Sequence, residues 1–334
     1  MKYSIFQQTL SENYRKLFVE GYHHVTVDEK KWSLPLRDRA LIGSFARMMS
    51  APRYLNRVAL KTKVARRHAP LAAMQDGYAI CSGREVPGMM QAIAVAEAKL
   101  QTYLKVKAGA KEVGESFDPA RYQQELAKAD KDPLKHVPYG HDREAAIALL
   151  KPFLQPEMYL TAANHLGVLP VLTSIRIAFS PNDEPLPLRS SQMFHVDPEG
   201  ARQVKVFVAA REVGPDNSPF TFVPERQTCR MLESGGEAFL GRRVKDEKLA
   251  KYAPRSEWVS HMGPPGELVF IDTSRCFHYG SRPAPKARLL LYAQYLDPFC
   301  SVFAASAKLR RKLGGNHGFY ETDDPIEQHV LGRR

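Results

Sequence analysis

The 334-residue sequence contains only four cysteines, Cys81, Cys229, Cys276 and Cys300, and no two of them form a CxxC pair. This spacing excludes a zinc knuckle and a dense disulfide framework, and it predicts buried free thiols. Long apolar runs are missing too, since no segment approaches the roughly 18 residues that a membrane-spanning helix needs. The opening run MKYSIFQQTLSENYRKL lacks an apolar stretch behind a basic start. We therefore expect no secretory signal, no membrane span and a cytoplasmic location.

Positive charge exceeds negative charge, and the formal net charge is +12. The excess is most concentrated between Arg37 and Arg67, where Asp38 is the single acid. Like charges repel one another unless they are well solvated or face an anion. The stretch therefore predicts a small anionic substrate, with a solvated basic surface as the alternative. We predict that this substrate is met by a set of arginines that includes Arg53, Arg57 and Arg66.

The first part of the chain, residues 1–165, is predicted to be mostly helical. From Met89 to Val106, apolar residues recur at spacings of three and four, which places them on one face of a helix. A similar pattern covers 142–154, and 156–165 predicts a further helical segment. Residues 107–139 are charged and contain proline, so we predict a loop there.

After Val168 the apolar pattern changes to the alternation of strands, first in VLTSIRIAFS at 171–180. No regular helices alternate with the strands, which favours an antiparallel barrel or jelly roll over a parallel sheet. We predict an α+β protein, with residues 1–165 packed on a β-core at 166–300, an inserted lid at 225–265 and a tail at 301–334. Further strands are predicted at 203–210, 220–223, 267–272 and 288–296.

A single histidine-x-carboxylate pattern, formed by His195 and Asp197, closes a strand-like run. Alternate residues of a strand point the same way, so both side chains are directed to a common point. Downstream, the strand GELVFID leads to His278, and Arg288 begins the next strand ten residues later. Two histidines and one carboxylate form the facial triad of non-haem Fe(II) oxygenases, which leaves three metal positions open for 2-oxoglutarate and O2. An arginine nearby suits a carboxylate, which its planar fork binds through two hydrogen bonds.

The two runs around these residues are FHVDPEGARQVKVFVAAREVGPDNSPFTFVPERQ and GELVFIDTSRCFHYGSRPAPKARLLLYAQY. Together they resemble the phytanoyl-CoA dioxygenase family of 2-oxoglutarate oxygenases, over about residues 168–295. The resemblance implies a double-stranded β-helix, a form of jelly roll. It also implies Fe(II) held by His195, Asp197 and His278, and 2-oxoglutarate anchored by Arg288.

Arg282 competes with Arg288 for the co-substrate, but it lies in a Gly-Ser-Arg-Pro turn rather than on the strand, so we favour Arg288. Because Asp197 supplies a carboxylate ligand, no metal position is vacated for a halide. We therefore predict hydroxylation, desaturation or epimerisation of a small molecule, with release of succinate and CO2. Four further residues are predicted to line the oxoglutarate pocket, namely Ser281, Lys205, Thr221 and Gln192.

Two other functions compete with this hypothesis. The first is a cupin-like metal- or ligand-binding protein without oxygenase activity, which would have no need of an arginine at the position of Arg288. The second is an oxygenase that acts on nucleic acid through the basic N-terminal region. Residues 36–68 contain few aromatic side chains for base stacking and no named nucleic-acid module, which argues against it.

Overall fold

The chain is described by a computed structural model that covers residues 24–27, 30–33, 36–109, 134–139, 142–182, 188, 190–235, 243–300 and 317–334. In these segments the protein is a mixture of α-helices and antiparallel sheets. None of the helices in these segments is both long and apolar enough to span a membrane. Parts of the predicted helical region, loop, lid and tail lie outside the described residues.

The larger sheet has six antiparallel strands. From one edge to the other they are β3 (Tyr78–Ser82), β9 (Glu267–Ile271), β6 (Gln203–Ala209), β11 (Arg288–Leu296), β5 (Val171–Ser180) and β4 (Lys135–Val137). Side chains alternate along each strand, which gives the sheet two faces. One face packs against the helices through a cluster that includes Val206, Phe270 and Leu291. The other face contributes Phe207 and Leu290 to a separate apolar cluster.

A smaller sheet contains β10 (His278–Tyr279), β7 (Phe220–Phe222) and β8 (Val259–His261) in that order. It packs on the second face of the larger sheet, where the rings of Phe207 and Phe220 stack with centroids 4.2 Å apart. Two further strands, β1 (His24–Val27) and β2 (Lys30–Ser33), pair only with each other. The prediction of a mixed protein with antiparallel sheets is confirmed, and the double-stranded β-helix stays a prediction.

Local sequence signals mark the start of one helix and the end of another. The side chain of Asp142 caps one helix by accepting a hydrogen bond from the Ala145 amide at 2.9 Å. Gly167 ends the next helix with a φ of 79°, which glycine adopts without steric cost. The helices are α1 (Leu36–Met49), α2 (Ala51–Ala65), α3 (Met89–Lys107), α4 (Arg143–Leu150), α5 (Pro156–Leu166), α6 (Glu225–Gly235), α7 (Asp246–Ala250) and α8 (Pro325–Val330).

Three short strands differ from the predicted organisation. Both edges of the larger sheet, β3 and β4, come from the region predicted to be helical, and β4 lies within the predicted loop at 107–139. The prediction of a loop is therefore wrong at Lys135–Val137, which pairs with β5. Likewise β8 lies inside the predicted lid, yet it pairs with β7. Strands of three to five residues are too short to show a clear alternation in the sequence.

The C-terminal residues belong to the main core. Val330 and Leu331, at the end of α8, are buried in the apolar cluster that also contains residues of α3, α5 and the larger sheet. Beside them, Arg57 of α2 is fully buried, and it donates hydrogen bonds to three backbone carbonyls. These belong to Leu169 at 3.0 Å, His329 at 3.0 Å and Arg334 at 2.7 Å. Arg57 therefore joins α2 to α8 and to the segment before β5.

The burial of Arg57 rules out contact with a substrate. Arg57 has no exposed surface, so the prediction that it meets an anionic substrate is wrong. Burial, together with the neighbouring Arg53, lowers the pKa of Arg57 to about 9, but the guanidinium remains charged at neutral pH. Arg53 and Arg66 are exposed, and their role towards a substrate stays a prediction.

Replacing Arg57 by methionine is expected to lower the free energy of unfolding by about 3 kcal/mol or more. The buried carbonyls of Leu169 and His329 would lose their donor, and each unsatisfied buried group costs about 1–3 kcal/mol. Urea denaturation followed by circular dichroism measures the change. Arg53→Met is the matched control, since its side chain lies one helical turn away and is exposed. Equal stabilities of the two variants would contradict the structural role of Arg57.

Candidate metal centre

Three side chains that can ligate a metal meet at the edge of the smaller sheet. Ligand atoms of His195, Asp197 and His278 all lie within 4.8 Å of one another. The Nε2 atoms of both histidines lie 3.7 Å from carboxylate oxygens of Asp197, one from each oxygen. The structure therefore brings together the three residues that the sequence predicts as metal ligands.

Backbone hydrogen bonds hold the three residues in place. His195 and His278 form an isolated β-bridge, in which each amide donates to the carbonyl of the other at 3.0 and 2.9 Å. The Asp197 amide donates to the carbonyl of Thr273 at 2.8 Å. The segment that follows the HxD pattern is thus paired directly with the segment that leads to the second histidine.

The imidazole rings are oriented by their other nitrogen atoms. Nδ1 of His195 is 2.9 Å from the carbonyl of Met193, and Nδ1 of His278 is 3.0 Å from the carbonyl of Cys276. A carbonyl can only accept a hydrogen bond, so both Nδ1 atoms carry the proton. Each Nε2 is left with a lone pair, and carbonyls that orient metal-binding histidines in this way are common.

Charges around the site favour a neutral pair of histidines and an ionised aspartate. Burial lowers the pKa of His195 well below its usual value, and the nearby His278 adds to this effect. Burial also lowers the pKa of His278. For Asp197 burial alone would raise the pKa, but the Lys205 ammonium, together with the two histidines when they are protonated, outweighs it and holds the pKa far below its usual range. Metal binding therefore needs no proton release from these ligands at neutral pH.

Lys205 contacts the aspartate directly. Its Nζ donates to Oδ2 of Asp197 at 2.7 Å, from a largely buried position on β6. The ammonium compensates the carboxylate charge and engages one of its two oxygens. The other oxygen, Oδ1, is the one that lies near the His195 ring.

Arg288, the predicted oxoglutarate anchor, is a buried cation. Only 1% of its surface is exposed. The guanidinium donates to the carbonyls of Ser218 and Gly280, and weakly to the Ser180 hydroxyl at 3.3 Å. Gly280 lies two residues beyond His278 in the chain. Burial lowers the pKa of Arg288 to about 9, so it stays charged at neutral pH.

No carboxylate of the described segments forms an ion pair with Arg288, and its Nε has no hydrogen-bond partner there. A buried charge without a counter-charge is costly, which makes an anionic ligand the expected compensation. Arg282 is different. It donates to both carboxylate oxygens of Asp246 at 2.7 and 2.8 Å and to the Gln192 carbonyl at 2.8 Å. Its guanidinium also stacks on Tyr279, 3.4 Å from the ring centroid.

The remaining predicted pocket residues lie in different environments. Ser281 is fully buried, and its hydroxyl has no partner among the described residues. The Thr221 hydroxyl donates to the Pro219 carbonyl at 3.0 Å and lies 2.9 Å from the Ser260 hydroxyl. Gln192 is buried, and Lys205 lies at the aspartate ligand as described. Their roles towards oxoglutarate stay predictions.

One contact to the metal centre was not predicted from the sequence. Arg39 of α1 is buried and donates to the carbonyl of Asp197 at 2.7 Å and to that of Gly200 at 2.8 Å. The basic composition of 37–67 is the only sequence signal there, and it does not show which arginine points inward.

The chain shows only low similarity to the known proteins with which it was compared. No family model matches the chain, and no curated protein matches it. Among solved structures, EctD from S. alaskensis in its apo form shows 17% identity over 69% of this chain and 78% of that chain, with a TM-score of 0.44. AviO1 from Streptomyces viridochromogenes Tue57 shows 17% identity over 70% and 98%, with a TM-score of 0.43. The non-heme alpha ketoglutarate dependent carbocyclase SnoK from nogalamycin biosynthesis shows 18% over 66% and 79%, with a TM-score of 0.40. Similarity at this level assigns neither a family nor an activity.

Proposed function

We propose that the protein is an Fe(II)- and 2-oxoglutarate-dependent oxygenase with the double-stranded β-helix fold. The observation that supports this most directly is the pairing of two features. Three metal-ligating atoms converge at His195, Asp197 and His278, and a buried cation, Arg288, bonds to the carbonyl two residues after the last of them. A metal site alone would not need the second feature.

The donor set fits ferrous iron. Two neutral imidazole nitrogens and one carboxylate are the ligands of the facial triad, and the Nε2 atoms are left available by the hydrogen bonds at Nδ1. When bound, iron together with 2-oxoglutarate and O2 supplies the oxidising power, with succinate and CO2 as products.

The residues of the chain are proposed to bind 2-oxoglutarate, to orient the metal ligands and to exclude water. Arg288 is proposed to bind the distal carboxylate of oxoglutarate through its planar fork. The Ser281 hydroxyl, which has no partner among the described residues, is proposed as a further donor. Lys205 keeps Asp197 ionised and restrains its carboxylate. The stacked rings of Phe207 and Phe220 form an apolar wall against which the His278 ring lies, 5.5 Å from Phe220. Such a wall excludes water from the reacting centre.

The substrate is proposed to be a small molecule that is hydroxylated, desaturated or epimerised. Its anionic character, met by exposed basic residues such as Arg53 and Arg66, is part of the same proposal. A metal-binding protein without oxygenase activity is the second candidate, because the three converging ligand atoms of His195, Asp197 and His278 would suffice for it.

An anaerobic titration separates the two candidates before any substrate is known. Fe(II) is added to the purified chain, followed by 2-oxoglutarate, and the visible absorption of the iron–oxoglutarate chelate is recorded. Succinate is then measured after admission of air, with and without a panel of small metabolites. We expect a saturable chelate spectrum and oxoglutarate-dependent succinate release. Iron binding without either signal would contradict the oxygenase and support the metal-binding protein.

A further inference from the structure

A second charged site lies beside the segment that follows Asp197. A cavity of about 190 Å³ opens between α1 and the residues that follow Asp197, and we call it the arginine cavity. Four arginines line it, with Asp297 as the only carboxylate among the described lining residues. The arginines are Arg39, Arg47, Arg202 and Arg275.

These guanidinium groups are not fully compensated. Arg47 pairs with Asp297, and Arg275 pairs with Glu225 outside the cavity lining. Among the described residues Arg39 donates to the carbonyls of Asp197 and Gly200, and Arg202 donates to the His165 carbonyl at 3.2 Å.

Nearby acids outside the lining are already engaged. Asp272 accepts from the Ser274 amide at 3.0 Å and lies 2.7 Å from His165, while Asp197 pairs with Lys205. Among the described lining residues four arginines face one carboxylate, while Glu199 and Asp272 act on Arg39 from outside the lining. An excess of positive charge in the lining attracts anions.

Three buried donors also have no partner. The Nε atoms of Arg39, Arg47 and Arg275 are buried, and none of them has a hydrogen-bond partner in the described part of the chain. Burial lowers the pKa of Arg39 to about 10, so it stays charged at neutral pH and cannot neutralise itself. Buried donors of this kind are normally satisfied, and guanidinium groups match the oxygens of phosphate and carboxylate.

The size of the cavity suits a small ligand. A cavity of about 190 Å³ has room for several water molecules, each of which takes up about 30 Å³ in the liquid. This is room for a small polyatomic anion with its hydration.

We propose that the arginine cavity binds a small doubly charged oxyanion, of which inorganic phosphate is the simplest example. The site is distinct from the metal centre and from Arg288. The bound anion would stabilise the segment 197–202, because Arg39 joins it to α1 and because Ala201 and Arg202 line the cavity themselves. Anion binding is thereby linked to the position of Asp197.

The test measures thermal unfolding of the full chain against phosphate concentration, with sodium chloride added to keep ionic strength constant. A ligand that binds only the folded chain raises the unfolding midpoint as it saturates. At about 100 times Kd we expect a rise of about 3 to 6 °C. Isothermal titration calorimetry gives the stoichiometry, which is expected to be one.

Two variants change the lining of the cavity but keep the hydrogen bonds from Arg39 to the carbonyls of Asp197 and Gly200. Arg202→Gln removes one cation, and Ser44→Asp places a fixed carboxylate in the lining. Both are expected to lose the phosphate-dependent rise. Ser44→Asn is the matched neutral control. Arg67→Gln removes an exposed arginine just beyond the C-terminal end of α2. Both control variants are expected to keep the phosphate-dependent rise. A rise that is equal in all variants, or equal with sodium chloride alone, would overturn the proposal.

Discussion

Replacing His278 by alanine is expected to weaken Fe(II) binding by about 100-fold or more and to abolish oxoglutarate turnover. The side chain is one of the three proposed protein ligands, and its Nε2 forms no hydrogen bond among the described residues. Changes to outer partners of metal ligands alone cost about 10- to 100-fold in metal affinity. Loss of the ligand itself exceeds that range, and the same result is expected for His195→Ala.

Iron content after anaerobic loading, together with calorimetric titration of Fe(II), measures this effect. The circular dichroism spectrum is expected to stay unchanged, because the backbone bridge between His195 and His278 does not depend on the imidazole rings. His68→Ala is the control, since His68 is exposed and far from the ligands in sequence. If His278→Ala retained wild-type iron content, the assignment of the metal centre would be wrong.

The convergence of the three proposed metal ligands could be predicted because strand geometry converts a sequence spacing into a direction. His195 and Asp197 are two positions apart, and the GELVFID strand places His278 near the end of a neighbouring segment. The sequence does not contain the pairing that brings the two segments together. That pairing is the bridge between His195 and His278 and the bond from the Asp197 amide to Thr273.

The buried arginines could not be predicted, because composition does not show which way a side chain points. Arg53 and Arg57 are one turn apart on α2 and equally basic, yet Arg53 is exposed and Arg57 is fully buried under the C-terminal residues. Arg39 bonds to Asp197 across 158 positions of the chain. Such contacts depend on tertiary packing, which local patterns do not encode.

Replacing Arg288 by lysine is expected to weaken the binding of 2-oxoglutarate. In Arg288→Lys the positive charge remains, but the planar fork that can donate two parallel hydrogen bonds to a carboxylate is lost. We expect the KM for 2-oxoglutarate to rise by ~10- to 100-fold, since about 1.4 kcal/mol of lost binding corresponds to a factor of ten. The turnover number is expected to change less, because binding of the co-substrate is affected more than the reacting atoms.

Succinate formation at varied oxoglutarate concentration measures this change, and Arg282→Lys is the matched control. The Arg282 guanidinium is already engaged by Asp246 and by the Gln192 carbonyl, so its replacement is expected to leave the oxoglutarate dependence near that of the wild type. Because Arg288 also donates to the carbonyls of Ser218 and Gly280, the iron content and unfolding midpoint of each variant are measured in parallel. An unchanged KM in Arg288→Lys, together with a large increase in Arg282→Lys, would transfer the anchoring role to Arg282.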